Sequence, residues 1–258
     1  MKNLSNNSFA YNSWFFAHIN KICYNEIDHI QNNLHEYNFV SITPILPIEK
    51  NTVGFVIELE DDIIVSIRGV SDNNSIPSIS CLKIWYHSEL NKALVHSGFG
   101  KYTDIIWPII KVILLLHGNK KIWFTGHSMG GSISKLLAFK AVSELSIQKK
   151  PNVFTYGSPR IIFILNNLNF EDISLTRWVN NIDIVSSSPS LIFGYAHHSE
   201  PYYINRFGNV VQYNQFEINL DRLKTYFMSP RKFTESHGLS RFLSALERYK
   251  YNIILPED

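Results

Sequence analysis

The chain predicts an α/β fold, with a mostly parallel central sheet covered on both faces by helices. Three observations carry that expectation. Short apolar segments of strand character alternate with segments of helical periodicity along most of the length. One such junction, Lys121-Ile-Trp-Phe-Thr125 followed by Gly126-His127-Ser128-Met129-Gly130-Gly131, passes from strand through a glycine-rich turn straight into a helical pattern. The 258 residues, 45% of them hydrophobic, suffice for one sizeable core, so residues 1–258 are read as a single domain.

Taken in order, Trp14, Phe15, Ala17, His18, Ile22, Cys23 and Ile27 trace one face of an N-terminal helix reaching about Leu34. Val53–Leu59 and Asp62–Arg68 are expected strands joined by an acidic turn at Glu60-Asp61. Residues 71–80 are polar, with Ile76 and Ile79 isolated among them, and read as a loop or short helix; Leu82–Tyr86 reads as a strand. The next helix is expected from about Trp107 to His117, with Pro108 in its first turn, where a missing N–H is tolerated. After the strand at 121–125, Ile133, Leu137, Ala141 and Leu145 form an i, i+4 row on a helix. Asn152–Tyr156 and Thr176–Asn180 are further strands, each followed by a polar loop. Pro201–Asn205 and Val210–Tyr213 suggest a hairpin turning at Gly208-Asn209, and a last amphipathic helix spans about Gly238–Tyr249.

Composition excludes several function classes. Net charge is +2, from 24 basic and 22 acidic residues without a long run of either sign, so there is no footprint for nucleic acid or for a polybasic membrane anchor. Cys23 and Cys81 make neither a disulfide framework nor a zinc spacing, and read as small core residues. Met1–Ser13 is polar, without a basic-then-apolar leader. The longest apolar run, Ile105–Leu116, is broken by Pro108 and Lys111 and falls short of the ~20 residues that span a bilayer. The expectation is a soluble chain, cytoplasmic or exported by a signal-independent route.

Gly126-x-Ser128-x-Gly130 between strand and helix is the context of a nucleophile elbow. Such a turn presents the serine hydroxyl outward, beside the N–H of the next residue, Met129, and the helix N-terminus, both suited to stabilising an oxyanion. A serine hydroxyl needs a base, and the base an orienting acid. In chain order after Ser128 the acids to weigh are Asp172, Asp183 and Asp221, and the bases His197, His198 and His237. Asp183 is the best placed, in a loop at the carboxyl end of the strand at 176–180, where α/β sheets bind ligands. Order alone leaves the histidine open, although His237 directly precedes a helix that could fix it.

Further segments give the chain a family resemblance. Gly126-His-Ser-Met-Gly-Gly131 resembles the G-H-S-L-G-G elbow of the class 3 lipases, which are α/β-hydrolases. Ile67-Arg-Gly69 is similar to their F-R-G, Val95-His-Ser-Gly-Phe99 to their V-H-x-G-F, and Tyr156-Gly-Ser-Pro-Arg160 to their G-x-P-R. Arg177 to Val185 resembles the segment carrying the family's catalytic aspartate, Gly194 to Tyr203 a segment whose histidine is not catalytic, and Ser236-His237-Gly-Leu-Ser-Arg-Phe242 the one carrying the base. The resemblance implies Ser128 as nucleophile, His237 as general base and Asp183 as its partner. It implies an oxyanion hole from the N–H groups of Met129 and Val70. The family usually has Ser or Thr at position 70, so Val70 keeps only its N–H, with Ser71 the nearest hydroxyl. The glycine that usually follows the G-x-P-R arginine is also missing here.

His96 and His127 read as hydrogen-bonding structural residues flanking the site, and His197 and His198 as a satisfied pair. By the resemblance a lid falls at about Asn73–Ile79, with Ile76 and Ile79 facing an acyl site that opens at a membrane or micelle surface; a plain polar loop is the alternative. The implied activity is hydrolysis of lipid carboxylic esters without metal or organic cofactor. The alternatives are a phospholipase or acyltransferase, effector-type included, or a non-catalytic binding module.

Overall fold

Period-two alternation sends strand side chains to opposite faces of a sheet. In Asp62–Ile67, Ile63, Val65 and Ile67 enter one core and Ile64 the other; in Lys121–His127, Ile122 and Phe124 enter the first and Trp123 the second. Strands buried on both faces need helices on both, and that is the architecture found. It is a computed structural model describing residues 4–25, 27–34, 37–46, 53–69, 84–87, 93–117, 119–147, 149–165, 168–228 and 236–256.

The elements run α1 (Phe9–Ile22), α2 (Ile27–Leu34), β1 (Ser41–Ile45), β2 (Gly54–Glu58), β3 (Asp62–Ile67), β4 (Ile84–His87), β5 (Ala93–His96), α3 (Ser97–Leu116), β6 (Lys121–His127), α4 (Met129–Glu144) and β7 (Asn152–Tyr156). There follow β8 (Ile162–Phe163), β9 (Ser174–Asn180), β10 (Tyr195–Ala196), β11 (Tyr202–Ile204), β12 (Val210–Val211), α5 (Gln215–Met228) and α6 (Leu239–Lys250). The main sheet has the order β1-β2-β3-β6-β7-β9-β11-β12. From β3 to β11 every neighbouring pair is parallel, and antiparallel strands close both edges.

Helices α3 and α4 pack on one face through Ile106, Ile110, Ile133 and Leu137. Helices α1 and α6 pack on the other through Phe16, Ile19, Phe242 and Leu246. Asn20 ties α1 to the sheet centre, donating to Thr125 Oγ1 at 2.9 Å and accepting from Ser66 Oγ at 3.0 Å. Carboxyl ends of the parallel strands β6, β7 and β9 therefore share one edge, which carries Ser128, Gly157 and Asp183 just beyond them.

Five features depart from the sequence reading. The expected single N-terminal helix is two. The Asn25 side chain donates to Ile22 O at 3.1 Å and the last backbone bonds tighten to i, i+3, so side chain and turn take up carbonyls that a continuing helix would use. Helix α3 starts at Ser97, not Trp107, because His96 Nδ1 accepts from Gly98 N at 3.2 Å and caps it. Pro108 thus lies mid-helix, where burial of Phe99, Ile106, Trp107 and Ile110 outweighs the missing bond. Edge strand β1 carries Pro44 and reads poorly as a strand. Helix α5 buries only Ile218, Asp221 and Thr225 while Phe216, Leu220, Leu223 and Phe227 face solvent, so its pattern marks no core face. A small second sheet, β10-β8-β5-β4, was not foreseen. Val70, Cys81 and the 73–79 lid lie outside the described residues.

Candidate active site

The chain turns at Ser128 between the end of β6 and the start of α4, with φ 58° and ψ −131°. This left-handed conformation costs a non-glycine residue about 1–3 kcal/mol. It is held by Ser128 N donating to Tyr156 O at 2.9 Å and Gly131 N donating to Ser128 O at 3.1 Å. The flanking glycines are steric necessities: a Cβ at 126 would lie 2.3 Å from the Gly130 carbonyl carbon, and one at 130 would lie 2.1 Å from Ile67 O. A serine at a helix N-cap usually spends its hydroxyl on the helix. Here Ser128, a partly exposed residue, makes no such bond.

Beyond β9 the chain turns sharply at Asn181, φ 23°, fixed by Asp221 Oδ2 accepting from its Nδ2 at 2.6 Å and Arg222 Nε donating to its carbonyl at 2.9 Å. This brings Asp183, 1% exposed, back under the sheet edge. Its Oδ1 accepts from Val185 N at 2.9 Å, from Ser186 N at 3.4 Å and from His237 Nδ1 at 3.0 Å. With Nδ1–H committed to the carboxylate, Nε2 of His237 is left as the basic nitrogen.

His237 is held by its own main chain. His127 Nε2 donates to His237 O at 2.7 Å, and Asn180 Nδ2 donates to Ser236 O at 2.8 Å. Gly157, φ +58°, lies beneath the pair; a Cβ there would be 2.6 Å from Asp183 Oδ2 and 3.0 Å from His237 Nδ1. Among the described residues no hydrogen bond joins Ser128 Oγ to His237. The two are linked through shared neighbours, since His127 and the Tyr156-Gly157 step each touch both sides. Such serine–histidine bonds are often long before substrate arrives.

A support that the sequence did not reveal comes from Tyr24, in the turn after α1. Its hydroxyl accepts from Gly69 N at 2.9 Å and lies 3.1 Å from His127 Nδ1. Because His127 Nε2 must donate to a carbonyl, its Nδ1 is the acceptor and the tyrosine hydroxyl the donor. Burial first, and then the neighbouring His237, push the His127 pKa down to about 3, so the ring is a neutral strut. Tyr24 was hidden inside what reads as an unbroken helix. The strut occupies the N–H of Gly69. The N–H of Met129, first residue of α4, has no acceptor within its helix.

The remaining candidates go elsewhere. Asp172 closes a small turn with Asn169, and Asp221 holds Asn181 and the Tyr203 hydroxyl. His197 Nε2 donates to Ser186 O at 2.8 Å, His198 stacks on Phe170 with ring centroids 4.4 Å apart, and His96 caps α3.

The family described as lipase (class 3) matches residues 64–193, half of the chain, from β3 through the elbow to the turn that holds Asp183. The chain belongs to the class 3 lipase family. The chain is 31% identical over 103 residues to the toxin TseL of Vibrio cholerae, covering 40% of the chain and 16% of that protein. It is 27% identical over 171 residues to a lipase of Rhizopus niveus, covering 60% and 42%. It thus spans well under half the length of these curated relatives. Among solved structures it matches the mono- and diacylglycerol lipase of Aspergillus oryzae with a TM-score of 0.65 at 18% identity, over 93% of this chain and 99% of that one. The lipase of Rhizopus microsporus var. chinensis gives 0.59 at 19%, over 77% and 76%. The chain therefore has the α/β-hydrolase fold.

Proposed function

We propose that the chain hydrolyses carboxylic esters of lipids through an acyl-enzyme. Ser128 Oγ attacks the ester carbonyl carbon while His237 Nε2 takes its proton. The imidazolium then formed is stabilised by Asp183, whose Oδ1 accepts from Nδ1–H. The Met129 N–H stabilises the tetrahedral oxyanion, with the Val70 N–H as its second donor. Collapse of the intermediate breaks the ester C–O bond, and His237 returns the proton to the leaving alcohol. Water, deprotonated by His237, attacks the acyl-Ser128 carbonyl; the carboxylic acid leaves and Oγ regains its proton.

The observation that carries this reading is the 3.0 Å Asp183–His237 bond beside an elbow whose serine hydroxyl is not used as a helix cap. Lipid esters are the substrate class because relatives of this chain bear the names lipase and mono- and diacylglycerol lipase. A fluorophosphonate probe should label the protein at Ser128, and Ser128→Ala should lose both labelling and release of fatty acid from acylglycerols. Labelling that persists in Ser128→Ala would overturn the assignment. Fatty-acid release from phospholipids in preference to acylglycerols would reassign the substrate while leaving the site.

A further inference from the structure

Behind the Asp183 turn lies a cavity of about 210 Å³ lined by Arg160, Arg177, Arg222, His197, Ser186 and Ser199, among others. Each guanidinium is oriented by main-chain carbonyls, which fix its direction without neutralising it. Arg177 Nη2 donates to Ser199 O at 2.8 Å, Arg160 Nη1 to Pro189 O at 2.9 Å, and Arg222 Nε to Asn181 O at 2.9 Å. Lys135 on α4, outside the lining, is in electrostatic contact with Arg177 and His197.

Among the described residues none of these four cations forms an ion pair, and Glu200, the carboxylate on the lining, is exposed. Lys135 is only 4% exposed. Ser199 Oγ is likewise buried and unbonded. Burying unpaired charge among like charges is costly. The strain shows in the cations themselves: burial and then Arg177 bring Lys135 down to about 7, and burial with Arg160 and Arg222 brings Arg177 down to about 9.

We propose that this cavity is a binding site for a phosphoryl group, held by Arg160, Arg177 and Arg222 with the Ser199 hydroxyl. Planar guanidinium forks with spare N–H donors and a hydroxyl converging from different elements suit an anion with several oxygens and more than one charge. The site is separate from Ser128 and stands independently of the esterase reading. Ser186 and Ser187 line it from the far side of the turn that carries Asp183. At its rim Leu191 is exposed, followed by Ile192 at 91% exposure and by Phe193. Both a soluble phosphate and a phospholipid head group therefore have access.

The test titrates inorganic phosphate into the full chain, following the melting temperature and heat of binding, with chloride at matched ionic strength as control. Phosphate should stabilise the protein saturably where chloride does not, and Arg177→Gln should weaken it about ten-fold or more. Cosedimentation with phosphatidylcholine vesicles, with and without phosphatidic acid, separates the sources. Binding to phosphatidic acid that soluble phosphate displaces marks a lipid head group; phosphate binding without vesicle binding marks a soluble ligand. The proposal is overturned if phosphate acts no better than chloride. It is equally overturned if Arg177→Gln raises the melting temperature and leaves the phosphate response intact, since the cavity then only holds water. Should Arg177→Gln not fold, Arg222→Gln must still weaken phosphate binding several-fold.

Discussion

His237 Nδ1 and Asp183 Oδ1 lie 3.0 Å apart, although 54 positions separate them in the chain. The carboxylate is aimed by the N–H groups of Val185 and Ser186, so the imidazole meets a preset acceptor. Asp183→Asn keeps the shape but can turn an N–H toward Nδ1, favouring the wrong tautomer. We expect kcat for ester hydrolysis to fall by about 10⁴-fold with KM little changed. Steady-state kinetics on a soluble ester checks this; a loss below ten-fold would remove Asp183 from its role.

Gly157 supports the same pair from below. In Gly157→Ala a Cβ would sit 2.6 Å from Asp183 Oδ2 in a backbone at φ +58°. The residue must strain by about 1–3 kcal/mol, and the Asp–His pair must shift. The protein should melt lower yet fold, while kcat drops by about 10²-fold from misplacement alone. Wild-type activity in this variant would show that the pair tolerates displacement.

Tyr24 joins Gly69 N–H to His127 Nδ1. Tyr24→Phe leaves both groups without that partner, which should cost about 1–3 kcal/mol of stability by chemical denaturation. Because Gly69 adjoins Val70 and His127 adjoins Ser128, fluorophosphonate labelling should also slow. Loss of stability with unchanged labelling would make the tyrosine a purely structural residue.

His127 gives a pH signature. Its folded pKa of about 3 lies below the ordinary histidine value of about 6.5, so between those values the unfolded chain binds the extra proton. The stability this neutral ring contributes is complete above pH of about 6.5 and is lost as pH falls toward about 3. His127→Gln keeps a donor for the His237 carbonyl but cannot titrate. Its melting temperature should therefore fall less steeply than wild type over that range, and parallel curves would refute the strut.

The elbow was legible because it is local. Strand pattern, glycine spacing and the switch to helical periodicity all lie within Lys121–Leu145, and the crowding that demands glycine at 126 and 130 comes from the turn itself and the adjoining strand end. The mostly parallel sheet was legible too, since doubly buried strands such as Asp62–Ile67 and Asn152–Tyr156 are apolar on both faces. Helix α5 and strand β1 were not, because one exposes its apolar residues and the other is a half-buried edge.

From the residues alone, acids and bases were candidates by type and order, with Asp183 favoured by its place after a strand, and the family resemblance implied His237 as the base. Meeting of Asp183 with His237, diversion of Asp221 to Asn181, and gathering of Arg160, Arg177 and Arg222 around one cavity depend on where β7, β9 and α5 pack. The sequence by itself determined the periodic and steric features, which act within one or two turns of chain. Tertiary structure decided the partnerships, because hydrogen bonds and charge interactions act over a few ångströms between segments that only folding brings together.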